Sequence, residues 1–249
     1  MRYLATAILL LSLNLPAYAR EGFDFGTENY RWSEYGSNGS RYLTESGLRE
    51  FIGYRRVDQY AAGATTLQGR VYFGDVFYDG QLQDGTPYTA TTGYTGFSLE
   101  QSRVFEGDSA VPHGELGFGL DYWQRVLDKG GSAGYTEDYL ALYVRAGLAA
   151  GNTHFGWYGN AGLKYPLTVN ETVQAYPLDT LQLYPTPALS LYAELGQGYG
   201  DWRWALYYDS YRFEQSPVVL ATIGGVPYDY YVQPKSVMDR IGVRFSMTY

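Results

Sequence analysis

The sequence predicts an all-β, membrane-spanning, antiparallel up-and-down barrel of about ten strands. Three observations carry that expectation. Alternating apolar and polar segments recur along the chain with the period of two that marks a strand. Beyond the first segment, no apolar run approaches the ~20 residues that a spanning helix needs. The chain then closes on Ile241, Val243, Phe245, Met247 and Tyr249, alternating with Arg240, Gly242, Arg244, Ser246 and Thr248, and no polar tail follows. A soluble sheet ending this way would leave an apolar edge strand open to other chains, whereas a closed barrel pairs its last strand with its first.

The first segment reads as an export signal, residues 1–19. Arg2 supplies the positive start, the mostly apolar run Leu4–Leu15 follows Tyr3, and Ala17-Tyr18-Ala19 is a small-x-small cleavage site before Arg20. Residues 20–249 then form one barrel domain. The formal net charge is -8, and loss of Arg2 takes it to -9. So acidic a chain has no electrostatic footprint for nucleic acid. With no Cys in 249 residues, a disulfide scaffold and Cys-based chemistry are excluded. The 28 Tyr and 31 Gly suit a wall that alternates between lipid and lumen.

Ten strands are predicted near 25–35, 41–56, 62–78, 91–105, 114–127, 137–149, 155–166, 187–198, 202–213 and 236–249. Prolines support the division. Pro87, Pro112, Pro177, Pro185, Pro217, Pro227 and Pro234 fall in connections, with Pro166 and Pro187 at strand ends. Connections alternate between short turns (Val57–Ala61, Glu106–His113, Gly151–His154, Tyr199–Asp201) and longer loops (Tyr78–Ala90, Asp128–Thr136, Leu167–Thr186, Glu214–Lys235). Gly36–Ser40 is a tight exception on the long-loop side. Short turns belong on the periplasmic side of an outer membrane and long loops on the cell surface.

Leu116, Phe118, Leu120 and Tyr122 form one apolar face, as do Leu140, Leu142, Val144, Ala146 and Leu148. Leu189, Leu191, Ala193 and Leu195, then Trp202, Trp204, Leu206 and Tyr208, repeat the pattern, and all of these should meet lipid. The opposite faces carry Arg70, Glu100, Glu115, Asp121, Arg125, Arg145, Lys164, Glu194, Arg203, Asp209, Arg240 and Arg244. In the second strand, inward Glu45 and Arg49, taken with Arg31, would turn Glu50 outward, which suits an interface or a bulge. Tyr35, Trp157, Tyr165, Trp202, Tyr211 and Tyr249 are expected in interfacial aromatic girdles.

Ten strands enclose a lumen of roughly 20 Å backbone diameter, most of it consumed by side chains. The candidate site is therefore a lumen charge network of Arg145, Arg203, Arg240 and Arg244 with Glu115, Asp121, Glu194 and Asp209. Inward Gly117, Gly119 and Gly147 would leave space for a narrow pore. The two histidines, His113 and His154, fall in periplasmic turns, away from the long loops where a rim hydrolase would need them. Gly196-Gln197-Gly198-Tyr199-Gly200 joins two strands and opens no helix, so it reads as a turn and not a phosphate cradle. No cofactor or metal motif is predicted. The loop acids Asp79, Asp84, Asp128, Glu171, Asp179, Glu214 and Asp229 read as solvated charge, with hard-cation bridging to lipopolysaccharide as a sharper alternative.

The signal segment, the alternating wall and the terminal Arg240–Tyr249 strand together resemble Gram-negative outer-membrane β-barrels over nearly all of the chain. The ending is similar to the signal read by the barrel-assembly machinery, with Phe245 and Tyr249 as its aromatic positions and Tyr249 where Phe is usual. The resemblance implies location in the cell outer membrane, with lipid, lipopolysaccharide and the assembly machinery as partners. Omptin proteases share the ten-strand count, but their site uses an Asp/His pair at the outer rim, and no His stands there. The chain is thus expected not to be an enzyme, and to act as an envelope-structural or loop-mediated interaction protein. A porin-like narrow channel for small hydrophilic or amphipathic solutes is the alternative.

Overall fold

A computed structural model describes residues 18–60, 62–81, 85–105, 112–127, 134–151 and 154–249. The predicted signal segment lies outside the described residues except for Tyr18 and Ala19. In chain order the strands are β1 (Tyr18–Tyr35), β2 (Arg41–Tyr60), β3 (Gly63–Gln81), β4 (Pro87–Phe105), β5 (His113–Leu127), β6 (Tyr135–Gly151), β7 (Phe155–Gln174), β8 (Leu181–Leu183), β9 (Thr186–Ala188), β10 (Ser190–Tyr199), β11 (Trp202–Glu214), β12 (Val219–Ile223), β13 (Val226–Tyr231) and β14 (Lys235–Thr248).

Ten of them close a barrel. The order β10-β11-β14-β1-β2-β3-β4-β5-β6-β7 is antiparallel throughout, and β7 pairs β10 from Lys164↔Ser190 to Phe155↔Tyr199. β14 pairs β1 from Gly22↔Thr248 to Tyr35↔Lys235. No edge is left, as the alternation of the terminal segment requires. Tyr18 and Tyr249 lie at the end that carries the short turns, here the turn end. Both of the long connections, 175–189 and 215–234, stand at the opposite, loop end.

Three details of strand and turn placement differ from the sequence reading. The predicted eighth strand is divided: β9 pairs β11 at Arg212–Glu214, the ladder lapses at Leu189, and β10 begins at Ser190. Pro187, which cannot donate to a ladder, sits in the short piece. Pro166 lies inside β7 and not at its end, at a bulge where Leu142↔Thr168 is followed by Tyr143↔Pro166. The β10 side of β7 is already unpaired there, beyond Lys164, so the missing N–H breaks nothing. Gly196 and Gly198 belong to β10, and of the glycine-rich stretch Gly200 makes the turn, at φ +66°.

The wall alternates as its sequence dictates. Leu116, Leu148, Leu191, Leu195, Trp202 and Leu206 are exposed on the outside, and so are Phe25 and Phe245, whose rings stack at 5.8 Å across the closing seam. Glu45 and Arg49 point inward and are fully buried. Arg31 does not join them, because Tyr30 and Trp32 take the inward parity of β1 and leave it exposed on the outside. Glu50 also faces outward, and β2 carries no bulge there. Tyr211, expected in a girdle, shares the parity of Arg203, Tyr207 and Asp209 and is fully buried in the lumen.

The loop end is capped. Val173, Leu181, Leu183 and Ala221 form a small apolar core in which β8 and the β12–β13 hairpin meet the rim. Gln233 ties the cap to the barrel, donating to Glu34 at 3.2 Å and to Ser236 at 3.0 Å.

Candidate functional site: the charged lumen

The inward parity of the strands brings charges from well-separated parts of the chain into three layers. Nearest the loop end, Arg125 of β5 gathers Glu45 (3.0 Å), Glu34 (3.1 Å) and Glu137 (2.5 Å) from three other strands. Thr92 donates to Glu45 at 2.7 Å and Tyr139 to Glu137 at 3.0 Å. Glu171 is fully buried close by. Packed on this layer is a slab of rings. Trp123 stacks on Tyr139 at 4.8 Å, Trp32 meets Tyr139 at 5.5 Å, and Tyr211 and Phe213 complete it.

At mid-height, Arg240 donates to Asp121 at 3.1 Å and also pairs with Asp209. Asp209 takes a second cation, Lys164, at 2.5 Å, and Tyr72 donates to Asp121 at 2.6 Å. Arg49 pairs with Glu28, which also accepts from Tyr207 at 2.6 Å, and the Arg49 guanidinium lies 3.8 Å from the Tyr30 ring centre. Toward the turn end come Arg55–Asp24 (3.2 Å), Arg145 with Glu100 (2.9 Å) and Glu115, and Arg244 with Glu194.

The structure thus brings seven of the eight predicted network residues into close pairs: Arg145 with Glu115, Arg240 with Asp121 and Asp209, Arg244 with Glu194. Arg203 reaches none of the predicted acids and stands 3.9 Å from Asp24. Sequence reasoning missed Asp24, Glu28, Glu34 and Glu137 as members. Parity alone could have found them, since Glu137 alternates with Leu140 and Leu142, and Glu28 with outward Phe25.

The inward glycines do not open a pore. A Cβ on Gly119 would lie 2.6 Å from the Tyr143 ring, one on Gly117 3.0 Å from Arg145 Cγ, and Gly147 is covered by the Tyr192 hydroxyl. The missing side chains are seats for tyrosines and an arginine from neighbouring strands.

Both histidines lie at the turn end. His113 opens β5, and His154 accepts from Arg20 at 2.9 Å while donating to the Gly200 carbonyl at 2.8 Å. Among the described residues, no group of three or more His, Asp or Glu is arranged to hold a metal ion. Of the loop acids, Asp84 and Asp128 lie outside the described residues. Glu171 is part of β7 and buried, not solvated, because that strand continues past the bulge to Gln174. Glu214 pairs with Lys235 at 2.7 Å. Phe245 sits on the outer wall, and Tyr249 donates its backbone N–H to Glu21 at 2.9 Å with its ring 6.1 Å from Phe23.

No family model matches the chain, and no curated protein matches it. Solved structures do. The outer membrane protease OmpT from Escherichia coli superposes with a TM-score of 0.60 at 10% identity, covering 95% of this chain and 99% of its own. The translocator domain of the autotransporter NalP from Neisseria meningitidis gives 0.42 at 12% identity, over 98% of this chain and 93% of its own. The TodX deltaS2S3 mutant monoaromatic hydrocarbon channel gives 0.37 at 9%, over 94% and 91%. The likeness to OmpT is one of fold, that of a Gram-negative outer-membrane barrel. The OmpT comparison corrects one expectation. The expectation that the chain is not an enzyme rests on the histidine positions, yet a protease is built on a barrel of this fold, so that expectation does not stand.

Proposed function

We propose that the chain is an outer-membrane protein whose barrel is an anchor with a plugged lumen, and which acts at the cell surface through its capped loop end. One observation carries this reading: side chains from opposite walls meet inside the barrel. Arg240 of β14 reaches Asp121 of β5, and Trp32 of β1 reaches Tyr139 of β6, each pair standing half-way round the barrel order. A lumen bridged across its diameter at two heights supports anchoring more than conduction, so the narrow channel takes second place.

The loop end offers a contact surface. Val226, Tyr228 and Tyr230 of the β12–β13 hairpin are exposed, at 66%, 62% and 71%, together with Val218 and Leu220. Large apolar side chains clustered on a surface hairpin suit recognition of a partner. In this reading lipopolysaccharide surrounds the wall at the loop end, and the assembly machinery reads Phe245 and Tyr249. A photo-crosslinking residue at Tyr228 or Tyr230, in intact cells, tests the surface role. Discrete adducts are expected from the hairpin and not from the wall position Leu195. Hairpin positions giving no more than Leu195 would overturn it.

A further inference from the structure

Beneath the bridging layer the lumen opens into a blind cavity of about 470 Å³, within the range of small-molecule sites. Its mouth lies among the short turns at Gln59, Ala64, His113 and Ala150, and its floor is formed by Tyr207, Asp209 and Arg240. Among the described residues, every carboxylate lining it is already engaged. Glu100 and Glu115 hold Arg145, Glu194 holds Arg244, and Asp209 holds Lys164 and Arg240. Of the lining guanidinium groups, Arg55, Arg145, Arg240 and Arg244 are engaged in return.

Arg70 is the exception. It lines the cavity from β3, and its hydrogen bond goes to a neutral partner, Ser98 Oγ, at 3.4 Å. The rings of Phe51 and Tyr207 stand 5.4 and 5.7 Å from the guanidinium, and it makes no ion pair among the described residues. A planar guanidinium held by rings, with donors facing a polar cavity, is suited to a carboxylate or phosphate oxygen pair. The neighbouring orphans point the same way. The Tyr158 hydroxyl and the Nε atoms of Arg145, Arg240 and Arg244 are buried on lining residues without hydrogen-bond partners among the described residues, so the unmet polar capacity of the lining is on the donor side. Among the described residues, no lining carboxylate oxygen is orphaned in this way.

We propose that this vestibule binds a small hydrophilic oxyanion, carboxylate- or phosphate-bearing, which enters from the turn end and seats its charge on Arg70. Gln68 and Ser98 beside it suit a ligand polar over the rest of its surface. The inference is independent of what the loop end contacts.

Thermal unfolding of the refolded protein in an uncharged detergent tests it, because a ligand that binds the folded state raises the midpoint with concentration. Inorganic phosphate and succinate would each be titrated against sodium chloride at equal ionic strength. The expected result is a saturable rise with phosphate, succinate or both that chloride does not reproduce, lost in Arg70→Gln and kept in Arg212→Gln on the outer wall. Which oxyanion acts assigns the ligand class. If Arg70→Gln does not refold, Arg70→Lys and Ser98→Ala take its place, with a weakened, right-shifted response expected. No rise beyond chloride, or an equal rise with Arg70 replaced, would overturn the proposal.

Discussion

Arg240 on β14 donates to Asp121 on β5 at 3.1 Å across the full width of the barrel, from opposite walls. Both side chains are almost completely buried. Removing one member of such a pair leaves an uncompensated charge, which typically costs ~3–5 kcal/mol. Arg240→Ala, which also leaves Asp209 with Lys164 as its one paired cation among the described residues, is expected in that range by urea unfolding. Glu194→Ala should cost less than Arg240→Ala, because the Glu194 side chain keeps 14% of its surface open to the vestibule. Equal small losses in both variants would mean that water reaches the mid-lumen.

Glu50 makes the opposite case. It faces outward between Leu48 and Ile52, which are 65% and 62% exposed, and beside Phe73 on β3. Charge on the lipid face of a barrel is destabilising, less for Glu than the ~2–4 kcal/mol of a midplane Arg or Lys. Glu50→Leu is therefore expected to stabilise the refolded protein by about 1 kcal/mol in lipid vesicles. A loss of stability would place this face against something other than lipid.

The parity of alternation made most of this architecture readable. Ten strands, the outward leucines of β5, β6 and β10, and the inward charges all follow from a period of two, which is local. Which inward charges meet is not local. Arg125 finds Glu34 and Glu45 because strands distant in sequence share a height in the closed barrel, and that depends on register and tilt. The inward glycines mislead for the same reason. Gly119 looks like empty space until Tyr143 of the adjacent strand is laid over it. Strand ends also extend past their alternating stretch, which is why alternation alone puts Pro166 at a boundary and Glu171 in a loop although β7 runs on to Gln174.

The loop-end cap should respond to acid. Asp179 accepts from the Thr222 hydroxyl and from the Gly225 and Gly224 amides, at 2.8 and 3.2 Å for the amides, and so clips the tip of the β12–β13 hairpin. The Thr222 hydrogen bond, followed by the two amides, holds its carboxyl below the usual carboxylate range. A lowered folded pKa contributes stability that is present above the unfolded value, ~3.9, and is lost as pH falls through the folded value. Hydrogen exchange of the hairpin amides, corrected for intrinsic rate, should therefore quicken only in that acid window. In Asp179→Asn the acid response should vanish. A hairpin loosening near neutral pH would contradict this.

Single-channel recording of the refolded protein in a planar bilayer tests the plugged lumen most directly. With Arg240–Asp121 and Trp32–Tyr139 bridging opposite walls, the unmutated protein should insert without carrying a steady current. A steady, ion-selective current from that same protein would contradict the account and put the channel in first place.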